Sequence, residues 1–476
     1  MVALTLAFAY AISVTAMLAL QNRSPQSTFA WVLLFVVFPP GALLTYIMFG
    51  RGRYAFSRQQ TLTKLLERST LADRAAAVVA AQPEAIARLA DTQGDFARLA
   101  GMLWASGRSP LTTGNHVEIL QNATEKYPRL LDDIRAASQS VHLLYYEWAS
   151  DRFTEEVARL LRDKVRAGVE VRILYDPVGS YFMLDRRYVE RLRRDGIQMQ
   201  PFSPVYQLHT LSYRNHRKVA IVDGRIGYSG GLNMTEKHLT GPAGFTGWRD
   251  THTRVTGKAV TVLQLVFATM WANATGENLF DERYLPAIQA GEDGVAIQVV
   301  SAGPDSRWET IRQAYLAMIA LARHHVYLQS PFLILDTSVA EAMTTAALAG
   351  VDVRVMIAPD GGEVSPAYRA GMTYAADMAR AGVQVCLYKG AYFHSKTICV
   401  DSRICSIGSA NIDIRSFSIN YETNLVVYDE AVTRELEQDF LADLAHCVPF
   451  SADEYDAQKT SRRLLDSVMR LGSPLI

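Results

Sequence analysis

Two stretches of this sequence carry the same polar residues at the same spacing. The first is His216, Lys218 and Asp223, followed by Gly230-Gly231 and Asn233; the second is His394, Lys396 and Asp401, followed by Gly408-Ser409 and Asn411. Between each lysine and aspartate lie apolar residues, Val219-Ala220-Ile221-Val222 and Thr397-Ile398-Cys399-Val400, which suit a buried strand. Side chains alternate faces along a strand, so a histidine and a lysine two apart project the same way. The result is an imidazole and an ammonium on one rigid surface. Lysine and asparagine suit the non-bridging oxygens of a phosphoryl group, and histidine can attack phosphorus or carry a proton near neutral pH. The small Gly-Gly and Gly-Ser pairs let the backbone come close to a ligand. A single set of this kind would read as a core histidine and a solvated lysine. Displacing an alcohol from a phosphodiester needs a nucleophile and an acid, and two sets facing each other across a pseudo-twofold supply both.

The elements around the two sets repeat as well. In the first half a helix near 130–137 precedes an apolar strand at 141–146, a helix ending at Gly168, a strand at 169–175, another helix, and Gly196. In the second half a helix near 310–322 precedes an apolar run at 326–328, a helix ending at Gly350, a strand at 351–357, another helix, and Gly382. Strands alternating with helices predict an α/β fold with covered sheet faces. The long period marks a duplicated domain rather than a solenoid. The expected organisation is an N-terminal hairpin over 1–50, a helical connector over 51–119, and tandem α-β-α domains over 120–290 and 291–476. The patch Met102-Leu103-Trp104 in the connector fits either a lipid interface or packing onto the body.

The chain has 476 residues, 49% of them hydrophobic, with 48 basic against 48 acidic side chains. That balance supplies no overall field for a polyanion, so nucleic acid is not an expected partner. Cys386, Cys399, Cys405 and Cys447 form no CxxC pair and read as small buried thiols, not a metal site. Residues 2–20 and 29–49 carry no charge, the second run being interrupted by Pro39-Pro40-Gly41. They predict two transmembrane helices, each spanning a ~30 Å hydrocarbon core. A cleaved signal peptide would need a basic start, which Met1 to Leu6 lack. Arg51, Arg53, Arg58, Lys64 and Arg68 follow the second run, against Arg23 alone in the loop between the runs. The positive-inside rule then puts the body on the cytoplasmic side of a bacterial inner membrane.

On the paired HxKxxxxD residues the chain resembles the phospholipase D superfamily. On Phe29-Ala30-Trp31, the double proline, Tyr145-Tyr146-Glu147-Trp148, Tyr175-Asp176-Pro177-Val178-Gly179-Ser180 and the closing Arg470-Leu471-Gly472-Ser473-Pro474-Leu475 it resembles the bacterial cardiolipin synthases. The resemblance implies a phospholipid partner, phosphatidylglycerol, and a tandem phospholipase D-like fold. It also implies transfer of a phosphatidyl group through a phosphohistidine to a second phosphatidylglycerol, giving cardiolipin and glycerol. It makes His216 the nucleophile and His394 the acid/base, although the residues alone leave that order open. It puts Lys218, Lys396, Asn233 and Asn411 on the phosphate, and Asp250 and Glu422 behind the histidines. Asp223 and Asp401 belong to the motif and order its loop. Arg214, Arg249, Arg415 and Ser409 are candidate substrate contacts. No metal and no cofactor is implied, because lysines and asparagines neutralise the charge. Glu147 departs from the family pattern, and the resemblance leaves it either silent or a modifier of headgroup choice.

Rival readings keep the chemistry and change the partner: water, as in a phospholipase D, or phosphatidylethanolamine. Acceptor identity depends on pocket shape, which the motif does not encode. A membrane scaffold with a dead site would require missing motif residues, and none is missing. A homo-oligomer is left open.

Overall fold

The apolar runs that the sequence marks as strands join into one continuous sheet. The computed structural model describes residues 2–21, 25–50, 62–204, 206–288, 291, 293–358 and 365–473. Among these the first repeat supplies β1 (Leu111–Gln121), β2 (Ser140–Tyr145), β3 (Glu170–Tyr175), β4 (Gln198–Pro201), β5 (Lys218–Val222), β6 (Ile226–Gly230) and β7 (Thr251–Thr256). The second supplies β8 (Val295–Ala302), β9 (His325–Gln329), β10 (Asp352–Ile357), β11 (Gln384–Tyr388), β12 (Thr397–Val400), β13 (Ile404–Gly408), β14 (Glu422–Tyr428) and β15 (Cys447–Pro449). The spatial order is β15-β11-β10-β9-β12-β13-β14-β8-β1-β7-β6-β5-β2-β3-β4. Outward from the antiparallel β8–β1 junction the two repeats run through the same sequence of strands, with β15 added at one edge. A pseudo-twofold therefore passes between β1 and β8.

Within each repeat the outer strands are parallel and linked by helices, and the inner ones are antiparallel. Helix Arg152–Arg166 crosses from β2 to β3 and buries Phe153, Val157, Ala158 and Leu161. Its start is fixed by a capping box, in which the Asp151 carboxylate accepts from the Thr154 amide and the Thr154 hydroxyl accepts from the Asp151 amide. Its counterpart, Thr337–Leu348, is capped by Asp336 in the same role. One apolar core mixes the halves: Leu144, Leu174, Val219 and Ile221 pack with Cys399, Cys405, Ile407, Leu425 and Val427 around helix Ala259–Thr275. All four cysteines are unbridged, and Cys399 faces Cys405 across neighbouring strands.

The two apolar N-terminal runs do form a helical hairpin, with the Tyr10 hydroxyl donating to the Phe35 carbonyl and Leu18, Phe35 and Ala42 buried between them. The expected membrane crossing is not met: among the described residues no helix is long and apolar enough to span a membrane. The second run breaks at Phe38 (φ −141°, ψ 71°), just before Pro39-Pro40. Its pieces, Pro25–Val37 and Pro39–Thr45, hold 13 and 7 residues, roughly 20 and 10 Å at 1.5 Å per residue, against a core of ~30 Å. A π turn, Tyr46–Gly50, ends the segment and packs on Leu208–Thr210. Arg23, Arg51, Arg53 and Arg58, which carried the orientation, lie outside the described residues, as do Pro474 and Leu475.

The connector is helical through Ala72–Gln93 and Phe96–Gly107. Leu99, Ala100 and Leu103 are buried in the second repeat's core, so this patch packs on the body. Strand β1 begins at Leu111 and crosses the expected boundary at 119–120.

Candidate active site

His216 lies two residues ahead of Lys218, the first residue of β5, and His394 three residues ahead of Thr397, the first residue of β12, so each stands at one end of a central strand. What fixes its partner is backbone pairing with the other repeat. The His216 amide donates to the Tyr421 carbonyl (2.9 Å), and the Tyr421 amide donates to the Arg214 carbonyl (2.8 Å). The His394 amide donates to the Arg249 carbonyl (2.8 Å), where Tyr392–Phe393 runs parallel to Trp248–Arg249. Each histidine is thus registered beside the residue that precedes an acid of the opposite half. His216 Nδ1 lies 2.9 Å from Glu422 Oε1, and His394 Nδ1 lies 2.8 Å from Asp250 Oδ2. The acids expected behind the histidines are there, and they are exchanged between the repeats.

Both carboxylates are fully buried. An ionised carboxylate only accepts, so each Nδ1 carries the hydrogen and each Nε2 keeps its lone pair for chemistry. Asp250 is further held by the Thr251 amide (2.8 Å) and the Trp248 indole (3.3 Å). Glu422 is held by the Ser409 hydroxyl. Aromatic rings flank both imidazoles: Tyr146 meets His216 edge-on at 4.9 Å, and Trp248 lies 5.0 Å from His394.

Lys218 and Lys396 are buried, and each ammonium donates to the carbonyl of its own histidine at 2.6 Å. Burial pushes Lys218 down to about 7 and Lys396 down to about 8, with Glu422 and Asp250 opposing the shift and each lysine's charge bearing on the surrounding groups. Burial likewise lowers both histidines, His394 well below the ordinary range because Lys396 and Lys218 add to the effect. For Glu422, burial is outweighed by His216 and Lys218, and its carboxyl falls; burial pushes Asp250 up. Two buried lysines and two imidazoles are gathered here, with the Glu422 and Asp250 carboxylates behind the rings. A phosphodiester held by the lysines could be attacked from one ring and protonated from the other.

Asn233 accepts from the Glu147 amide (3.2 Å), and Asn411 donates to Asp413 (3.0 Å). Asp223 and Asp401 stand outside this cluster. Both adopt left-handed backbone (φ 52°) and collect backbone amides, Asp223 from Ser138, Gln139 and Ser140, Asp401 from Arg323, His324 and His325. They fasten the far ends of β5 and β12. Arg249 is committed elsewhere too: its guanidinium pairs with Asp443 (2.7 Å) and donates to the Asp250 carbonyl and the Thr251 hydroxyl. Arg214 is buried on Asp176 and the Thr210 carbonyl, leaving Arg415, which donates to the Ser212 carbonyl (2.7 Å), as the half-buried member of the three arginines. Trp248 and Lys237 enter the site without having been singled out, and Tyr146 had been named only within the run Tyr145-Tyr146-Glu147-Trp148, with no role. Their signal was position alone: Tyr146 continues β2, and Trp248 sits two residues from Asp250.

Comparison with known proteins bears on this arrangement. The family model described as cardiolipin synthase, PLD-like domain, matches residues 130–244 and 315–444, and a phospholipase D-nuclease N-terminal model matches 5–51. A cardiolipin synthase of Geobacillus thermodenitrificans is 35% identical over 467 residues, 96% of this chain and 91% of that one. A cardiolipin synthase 2 of Bacillus anthracis is 36% identical over 96% of this chain and 88% of its own length. The crystal structure of a phosphatidylserine synthase from Haemophilus influenzae superposes with a TM-score of 0.60 at 12% identity, covering 80% of this chain and all of that one, which is a likeness of fold.

Proposed function

The chain belongs to the cardiolipin synthase family of PLD-like proteins, and on that footing we propose how its paired histidines carry out phosphatidyl transfer between two phosphatidylglycerol molecules. The observation that carries the proposal is the crosswise pairing of His216 with Glu422 and of His394 with Asp250. His216 Nε2 attacks the phosphorus of one phosphatidylglycerol. The P–N bond forms as the P–O bond to glycerol breaks, and His394, favoured as the imidazolium by the bound phosphate and by Asp250 behind it, gives its Nε2 proton to the departing oxygen. A glycerol hydroxyl of a second phosphatidylglycerol then surrenders its proton to His394 and attacks phosphorus. The P–N bond breaks, His216 is regenerated, and cardiolipin leaves. Lys218, Lys396, Asn233 and Asn411 hold the non-bridging oxygens, and Ser409 steadies Glu422. Asp250 and Glu422 fix each tautomer and stabilise whichever imidazolium forms. The charge on phosphorus is met by these side chains, with no metal called upon.

The body works beside a membrane. Support comes from the apolar side chains that the N-terminal helices leave exposed, among them Phe29, Leu33, Val37, Phe38, Leu43 and Leu44. The turn that ends this segment packs on the loop leading to Arg214 and His216, so an apolar surface lies next to the approach to the site.

The test is acid-free trapping of the phospho-enzyme from labelled phosphatidylglycerol, with the modified residue mapped by mass spectrometry. Label on His216, lost in His216→Ala and formed more slowly in His394→Ala, is expected. Full cardiolipin formation by either alanine variant, or loss of activity on adding a chelator, would contradict the scheme.

A further inference from the structure

The pseudo-twofold makes it possible to ask where the two halves of the cleft differ. Trp148 bridges to Met234 and Leu333 pairs with Ile412, and Met234 and Ile412 each follow the motif asparagine. Trp148 and Leu333 are therefore equivalent, and so are the residues before them, Glu147 and Phe332. Counting on from the asparagines, Lys237 in helix Lys237–Thr240 corresponds to Arg415 in helix Ile414–Ser418. One flank holds a carboxylate and an ammonium; the matched flank holds a phenyl ring and a guanidinium.

Glu147 and Lys237 pair at 2.8 Å, both half-buried. Lys237 lies over the Trp248 ring at 5.6 Å, and Trp248 is the ring that flanks His394. The Glu147 backbone is tied to the first motif by the Asn233 side chain and the Met234 amide. Its charge reaches both Lys218 and Lys396, and that of Lys237 reaches His394. A carboxylate next to a phosphate-binding site is unfavourable unless it serves a neighbouring group. Here it sits one ion pair away from the imidazole that exchanges a proton with alcohols.

We propose that Glu147 and Lys237 form a diol-reading subsite on the His394 flank, which holds the leaving glycerol and then the hydroxyl-bearing headgroup of the acceptor. This rests on the phosphatidyl-transfer reading above and specifies its substrate. An acceptor and a donor 2.8 Å apart match a vicinal diol: one hydroxyl donates to Glu147 while its neighbour accepts from Lys237. In the acceptor the hydroxyl that accepts from Lys237 is the one that reacts, its own proton passing to His394 as its oxygen bonds to phosphorus. An ammonium headgroup gains Glu147 but meets Lys237, a like charge in a partly desolvated place, and is disfavoured. Leaving and attacking alcohols occupy the same side of phosphorus, so one subsite serves both half-reactions and marks His394 as the acid/base.

The experiment uses the purified full chain in mixed micelles, with phosphatidylglycerol and phosphatidylethanolamine of distinguishable acyl chains competing as donors and a third, unlabelled phosphatidylglycerol as acceptor. Products are quantified by mass spectrometry. Wild type is expected to favour the glycerol headgroup. Lys237→Met should raise the share of phosphatidyl groups drawn from the ethanolamine donor by about tenfold, the worth of one charge-assisted hydrogen bond. Glu147→Gln should raise the acceptor KM by about tenfold more than it lowers kcat, and Glu147→Asp should recover much of that loss. A product ratio within twofold of wild type in both Lys237→Met and Glu147→Gln would overturn the proposal. So would a rise in hydrolysis alone, because the pair would then only exclude water. A wild-type enzyme that makes no cardiolipin would instead refute the underlying function.

Discussion

Gly231 occupies the motif position that Ser409 holds in the other repeat, and the exchange of one for the other is a stringent test of how the acids are seated. A Cβ at Gly231 would lie 2.0 Å from Asp250 Oδ1 and 2.6 Å from its Cγ and Oδ2. Ordinary contact begins at 3.4 Å, so the carboxylate must retreat by more than an ångström. It cannot do so and keep both the 2.8 Å bond from His394 and the 2.8 Å bond from the Thr251 amide. Losing a charge-assisted hydrogen bond costs about 1.5–3 kcal/mol, and a ~1 Å misplacement of a catalytic group costs about a hundredfold in rate. Gly231→Ser should therefore lower kcat for cardiolipin formation by two to three orders of magnitude, in the sense of those estimates, while the shared core keeps the thermal midpoint within a few degrees. The second repeat tolerates a serine because its acid is Glu422, whose carboxylate the serine hydroxyl reaches. Gly231→Ser with Asp250→Glu transplants that arrangement and should recover at least tenfold over Gly231→Ser alone. The measurement is mass-spectrometric product formation from phosphatidylglycerol, with a melt on each variant. A single variant retaining more than a tenth of wild-type kcat would refute the reasoning, and so would a double variant no better than the single one.

Three further outcomes follow from the same geometry. The lysines need their charge to hold phosphate, and burial puts Lys218 at about 7 and Lys396 at about 8; being depressed, they lose the proton as pH rises. In a pH series kcat/KM, which reports the free enzyme, should fall above this range, whereas the alkaline fall in kcat should lie higher because bound phosphate favours the ammonium; coincident limbs would contradict it. Arg249→Gln breaks a buried ion pair with Asp443 and should cost about 3–5 kcal/mol of stability, read as a lowered denaturant midpoint, with an unchanged preference among headgroups. Asp223→Ala frees the amides of Ser138, Gln139 and Ser140 at a partly exposed turn and should lower the melting temperature, while the surviving folded fraction keeps its kcat; a specific loss of kcat would return Asp223 to the chemistry.

The duplicated α/β frame and both histidine–lysine pairs were legible because strand alternation and apolar runs act locally, within the span of a few residues. The exchange of acids was not. It depends on one two-residue pairing, Trp248–Arg249 with Tyr392–Phe393, and one single bridge, Asn215 with Tyr421, both too short to impose a periodicity. Arg249 is a candidate substrate contact by resemblance, yet its partner Asp443 comes from the far end of the chain and no local pattern announces it. The spanning hairpin was inferred from the length of uncharged runs. Hydropathy counts that length, but Phe38 before two prolines decides whether the run stays one helix.

The twofold is kept in the strands and broken where side chains meet substrate. Identical halves would leave a phosphodiester no reason to be attacked from one histidine rather than the other. The protein differs at matched positions on just these flanks: Asp250 against Glu422, Gly231 against Ser409, Glu147 and Lys237 against Phe332 and Arg415. Because the acids are exchanged, a change in one half alters the imidazole of the other. Glu422, set in the second repeat, is stabilised as a carboxylate by His216 of the first, so the second repeat helps decide what the first repeat's histidine can do. Neither repeat holds an oriented histidine by itself, and the division of labour between nucleophile and acid/base is a property of the pair.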